Sequence, residues 1–140
     1  MKELETLAEG RFLRLVKSGT WEFVQRKNIT GIVGIVAVTE DRKLILVEQY
    51  RPPVDKRVIE IPAGLVGDVA GKESELLVEA AKRELEEETG YQAREIVPLA
   101  VGTASAGMSD EVITLLKANG LTRVGNGGGD GSEQIVVHEV

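Results

Sequence analysis

Residues 73–91, ESELLVEAAKRELEEETGY, form the one stretch of this chain whose apolar residues recur at helical spacing, and that limits the architectures open to the rest. Leu77, Ala81 and Leu85 recur every four residues and predict a buried stripe. Ser74 suits the N-cap and Gly90 the left-handed position that stops a helix, so a helix is expected over 74–89. Its surroundings read as strands. RFLRLVKS and TWEFVQRK alternate on either side of Gly19 and predict an N-terminal hairpin. In TGIVGIVAVTEDRKLILVEQYRPP, two apolar runs flank a turn at 40–42, as expected of a hairpin of central strands. KRVIEIPAG is a further short strand stopped by Pro62, and a Gly-rich connection is expected over 65–72. REIVPLAVG and EVITLLKA follow the helix, joined by the small-residue loop TASAGMSD, and QIVVHEV is the last strand. Between them NGLTRVGNGGGDGSE holds six of the sixteen glycines and reads as a mobile loop over a site. One helix among mixed strands implies a layered α/β or α+β domain, a single one spanning 1–140. So short a helix covers little sheet, so a further covering layer is expected from a partner or from chain beyond Val140.

Composition narrows the function classes. At 140 residues, 42% apolar and 29% charged, the chain can bury a real core. A net charge of −6 argues against a general nucleic-acid binder, though not against a small phosphorylated substrate whose charge a metal neutralises. The absence of cysteine excludes disulfides and thiolate chemistry. The N-terminal MKELETLAEGRFLRLV lacks the apolar core of a signal peptide, and no run reaches membrane-spanning length. A cytoplasmic protein with no membrane association is expected. The one histidine, His138, reads as a polar strand-edge residue rather than a catalytic group.

The helix ends against its own electrostatics. Glu86, Glu87 and Glu88 occupy the last turn, where unsatisfied carbonyls disfavour carboxylates. Glu84 lies three and four residues before Glu87 and Glu88, so like charges crowd one face at about 0.2–0.5 kcal/mol per pair. A solvated acidic face leaves both penalties unexplained. Hard oxygen ligands converging from one rigid helix make a site for Mg²⁺ or Mn²⁺, and a bound cation turns the repulsion into attraction.

The same residues carry a resemblance. Glu75, Arg83, Glu84, Leu85, Glu87, Glu88, Gly90 and Tyr91 resemble the second half of the Nudix hydrolase signature at every place. The first half departs from it: Gly64 precedes Glu75 by eleven positions where the signature has six. Either the loop carries a five-residue insertion, or Gly67 and Glu73 take those places and the helix spacing is two too long. The insertion is preferred because it leaves the helix intact. The resemblance implies the Nudix fold, a mixed sheet sandwiched between helices, and hydrolysis of a nucleoside diphosphate linked to another moiety. It implies Glu84 and Glu88 as metal ligands, Glu87 as a ligand or its near neighbour in catalysis, and the carbonyl of Ala63 as a further ligand. Arg83 is implied to orient the glutamates. Mg²⁺ is the implied cofactor, with Mn²⁺ as substitute.

VEQYRPPVDKRVIEIPAGLV is similar to the ADP-ribose (ADP-sugar) pyrophosphatase branch of that family. The likeness implies that Arg51 reaches substrate phosphate and that Glu60 supports the metal or substrate. GTWEFVQRKN resembles the branch's N-terminal strand, which implies that Trp21 stacks on adenine; a core Trp is the alternative. Glu133, at the end of the Gly-rich loop, is the implied general base, with Glu111 in GMSDE as the alternative. The branch's N-terminal segment crosses to a second copy, so a homodimer is implied, and the helix that usually follows the last strand is missing here. The leading expectation is hydrolysis of ADP-ribose to AMP and ribose 5-phosphate. GDP-mannose or another nucleotide sugar, and a non-hydrolytic ADP-ribose sensor, stay open as alternatives.

Overall fold

The computed structural model describes residues 3–71, 75–129, 131 and 134–140. Ten strands and one α-helix arrange these residues into three sheets. The N-terminal sheet is an antiparallel meander of β1 (Glu5–Glu9), β2 (Leu13–Ser18) and β3 (Trp21–Arg26). The expected hairpin is present as β2 and β3. β1 adds a third strand that alternation did not show, because every side chain of ETLAE is exposed and none needed to face a core.

The central run GIVGIVA forms β4 (Gly31–Ala37), the most deeply buried strand. It pairs antiparallel with β7 (Ala63–Val66) and parallel with β9 (Val112–Arg123), which pairs in turn with β8 (Tyr91–Thr103). A strand flanked on both edges and covered by a helix needs apolar residues throughout, and its near-continuous run records that. Those two neighbours also leave no edge for the hairpin expected with the next strand. β5 (Ile45–Arg51) meets the end of β4 only at the Val38–Leu44 bridge. It then departs into a third sheet, between β6 (Lys56–Glu60) and β10 (Val136–Glu139). Part of the expected Gly-rich connection is therefore strand β7, and the last expected loop begins as the end of β9.

Helix α1 (Leu77–Thr89) starts two residues later than expected, with Leu76 at the N-cap and no side-chain cap; Ser74 lies outside the described residues. Ala80, Ala81 and Leu85 are fully buried and pack in one core with Val33, Ile35, Val66, Ile96 and Leu116. Leu77 is 39% exposed instead. A strict four-residue repeat drifts around a helix of 3.6 residues per turn, so the first of three such residues leaves the buried face. α1 is the only α-helix among the described residues, so no second helical layer completes the expected sandwich there. No helix among them is long and apolar enough to cross a membrane.

Candidate active site

The last turn of α1 resolves the electrostatic question its sequence raises. Gly90, at φ 73°, donates to the carbonyl of Glu86 at 2.8 Å and ends the helix. The next two carbonyls accept from the Gly-rich segment: Gly129 N–H donates to Glu87 O at 2.9 Å and Gly128 N–H to Glu88 O at 3.0 Å. The carbonyls that would repel the glutamates are thus occupied by backbone donors. Residues 125–129 of the expected loop lie on the helix end, and residues 130, 132 and 133 lie outside the described residues.

With the backbone held, the carboxylates of the last turns point toward the start of β7. Glu88 is 3% exposed and accepts from the amide of Ala63 at 3.0 Å. Glu84 lies against Gly64 so closely that a Cβ there would sit 2.1 Å from its carboxyl carbon. Only glycine leaves that space. Arg83 organises the remainder. Its guanidinium donates to Glu75 at 3.2 and 3.1 Å, to Glu84 at 2.8 Å, to Glu87 at 3.3 Å and to the carbonyl of Leu65 at 3.3 Å. Glu75, just ahead of α1, faces Arg83, while Glu73 of the alternative alignment lies outside the described residues.

Electrostatics follow from this crowding. Burial pushes the Glu84 carboxyl up to about 7, and the adjacent Arg83 charge only partly offsets it, while Glu87 and Asp68 add to the rise. Arg83 is also raised, but for a guanidinium that favours the charged form, held so chiefly by its hydrogen bonds to Glu75.

The glutamates open into a cleft of about 540 Å³. Its acidic wall is Glu84, Glu87, Glu88, Asp68 and Glu111, and its cationic groups are Arg83, Arg51 and Arg26. The structure thus brings together Ala63, Arg83, Glu84, Glu87, Glu88, Arg51 and Glu111. Glu60 does not line the cleft but accepts from Arg51 at 2.8 Å. Glu111 accepts from Arg26 at 2.8 Å. Trp21 is not in this cleft. It lines a second hollow of about 440 Å³ with Phe23, Thr103, Ala106 and Asp110, and at 63% exposure it is no core residue. Asp110 in one hollow and Glu111 in the other make the two neighbours along the chain. Glu133 lies outside the described residues. His138 pairs with Glu48 at 2.8 Å in the third sheet, away from the cleft residues.

Sequence reasoning missed Arg26, Asp68 and Gln49, which also line the cleft. Arg26 ends an alternating strand and Asp68 sits in the inserted loop. Neither position differs in sequence from an ordinary surface charge.

The donor set fits a hard divalent cation: three carboxylates on adjacent turns of one helix, and a strand carbonyl at Ala63. Among the described residues no three acidic or imidazole side chains already stand gathered around one point. Arg83 occupies Glu84 and Glu87 instead, so it competes for the same oxygens.

Residues 29–118 match the NUDIX domain, well over half of the chain. The chain belongs to the Nudix family. Members of this family generally use divalent metal ions. The Nudix chain is 39% identical over 106 residues to a methanol dehydrogenase activator of Bacillus methanolicus, covering 76% of this chain and 55% of that protein. It is 39% identical over 92 residues to an ADP-ribose pyrophosphatase of Bacillus subtilis (strain 168), covering 66% of this chain and 47% of that protein. The chain therefore spans about half the length of these curated relatives. A crystal structure of an ADP compounds hydrolase superposes with a TM-score of 0.73 over 98% of this chain and 75% of that one. At 21% identity that likeness is one of fold.

Proposed function

We propose that this Nudix chain hydrolyses the pyrophosphate of a nucleoside diphosphate sugar, with ADP-ribose giving AMP and ribose 5-phosphate. The observation that carries the reading is the convergence of Glu88 on Ala63 and of Glu84 on Gly64, with Arg83 bound to Glu84, in a cleft that also holds Arg51. The ADP-ribose and ADP-sugar pyrophosphatases among its relatives support the choice of substrate.

Glu84, Glu87, Glu88 and the carbonyl of Ala63 would hold Mg²⁺, with Mn²⁺ as substitute. When bound, the cation offsets charge developing on the pyrophosphate oxygens and acidifies a water. Arg83 keeps the carboxylates aligned, and Glu75 keeps Arg83 in place. Arg51, oriented by Glu60, binds phosphate oxygens through its planar fork. Water oxygen bonds to one phosphorus, the bridging P–O bond breaks, and the leaving phosphate takes the electron pair. A carboxylate, Glu133 or Glu111, accepts the water's proton. Trp21 gives the adenine a stacking face in the neighbouring hollow. A homodimer fits the exposed apolar residues of the N-terminal sheet, Leu4, Leu7, Phe12, Leu13, Leu15 and Trp21.

The test is a product assay with Mg²⁺ that offers ADP-ribose, ADP-glucose and GDP-mannose side by side. AMP release from ADP-ribose is expected, with Glu88→Gln lowering kcat by at least about 100-fold. GMP release in preference to AMP would move the substrate to a guanosine sugar. Tight ADP-ribose binding without turnover would replace the enzyme with a sensor.

A further inference from the structure

The Gly-rich segment does more than terminate α1, because Gly90 already does that through its own bond to Glu86 O. Gly128 and Gly129 bind the carbonyls of Glu88 and Glu87, two of the residues whose side chains line the acidic cleft. Both glycines have positive φ, 111° and 90°. Gly127, at φ 66°, passes so near that a Cβ there would lie 2.4 Å from Glu88 O. The segment is tied in from the other side as well. Val124 and Gly125 donate to Gly90 O at 2.8 and 3.1 Å, and Ile135 donates to Gly128 O at 3.4 Å, just before β10.

We propose that Gly127, Gly128 and Gly129 are positioning residues for the carboxylate site: a backbone clamp that sets where Glu87 and Glu88 present their oxygens. The inference rests on the reading of those glutamates as cation ligands. A helix end frays when its last carbonyls lack partners, and a fraying turn here would carry Glu87 and Glu88 out of register with Ala63. Side chains cannot supply these donors without blocking the approach, so a run of glycines does it with the main chain. Linkage then makes the effect reciprocal: whatever the clamp adds to cation affinity, a bound cation adds to the clamp.

Two measurements on the full chain test this. Mn²⁺ affinity by titration calorimetry is expected to weaken about 10- to 100-fold in Gly127→Ala, the range seen when groups supporting a metal ligand are removed. Gly131→Ala is the control. Gly131 has the same kind of positive φ, 93°, but a Cβ there meets nothing within 4 Å, so wild-type affinity is expected. A folded Gly127→Ala protein that binds Mn²⁺ as tightly as wild type overturns the proposal. Should that variant fail to fold, amide hydrogen exchange on the wild-type chain decides. The Gly128 and Gly129 amides are expected to be protected and to gain protection with saturating Mg²⁺. Exchange at free-peptide rates, or protection that Mg²⁺ leaves unchanged, sinks the clamp while leaving cation binding intact. A wild-type chain that binds no Mn²⁺ sinks the cation reading and the positioning role together.

Discussion

Glu84 is where the opposing demands on single residues meet. Its carboxylate lies beside Arg83, which favours the charged form, yet burial against Gly64 and the nearby Glu87 and Asp68 favour the proton. Burial wins and lifts it from 4.5 to about 7. Between those values the unfolded chain releases the proton while the folded chain keeps it, so this group's contribution to stability falls as pH rises and levels off above about 7. In EDTA, Glu84→Gln is therefore expected to gain on wild type in thermal melts as pH is raised from about 5 to about 7.5. A Tm difference independent of pH would show that Glu84 titrates normally. Removing the proton is also what a cation at this site would have to achieve, and affinity is expected to rise over the same range. At this scale the sequence was legible where residue types broke a local rule, as in the charged helix end. It was illegible where a charge looked ordinary. Arg26 and Asp68 reach the cleft only because β3 and the inserted loop come to lie there.

Helix α1 does two jobs with one set of residues. Ala80, Ala81 and Leu85 bind it to the sheet of β4, β7, β8 and β9, while the adjacent stripe presents the glutamates. Leu85 is fully buried between Glu84 and Glu86, so its packing sets the height of the acidic stripe above β7. Leu85→Ala is expected to cost about 3 kcal/mol, measured by urea unfolding, and to lower activity in the fraction that stays folded. A loss below about 1 kcal/mol would mean the helix is held mainly by its ends. Period-2 and helical patterns located most of these elements correctly. Their errors cluster at ends and at partners. β1 has no buried face to reveal it, and β9 runs on through NGLTR because pairing with β8 overrides the local preference of Asn119 and Gly120 for a turn.

Across the whole molecule, apolar surface is unevenly spread. The N-terminal sheet leaves Leu7, Leu13, Leu15 and Trp21 exposed, and Leu99, Val101 and Met108 add to it on β8 and the loop that follows. Isolated exposed leucines are common, but this many on a three-stranded sheet fits the homodimer proposed above. The chain is expected to sediment as a dimer, and Leu15→Asp to shift it to monomer with AMP release from ADP-ribose reduced. A monomeric wild type in analytical ultracentrifugation would remove the dimer from the proposal and leave this sheet as a face toward some other partner.

Sequence alone determined the helix, its acidic end and the alternation of the strands around it, because each depends on residues within a few turns of one another. Local rules of periodicity, capping and charge apply at that range whatever surrounds them. It also carried the family signature, which needs no contact to be read. Only the tertiary structure decided how the strands divide among sheets, since pairing partners compete and β4 had already filled both its edges. Only tertiary structure decided, too, that Gly128 and Gly129, far downstream in the chain, belong to the helix end. A backbone amide has no sequence identity, so which carbonyl it will meet is written in the fold and nowhere else.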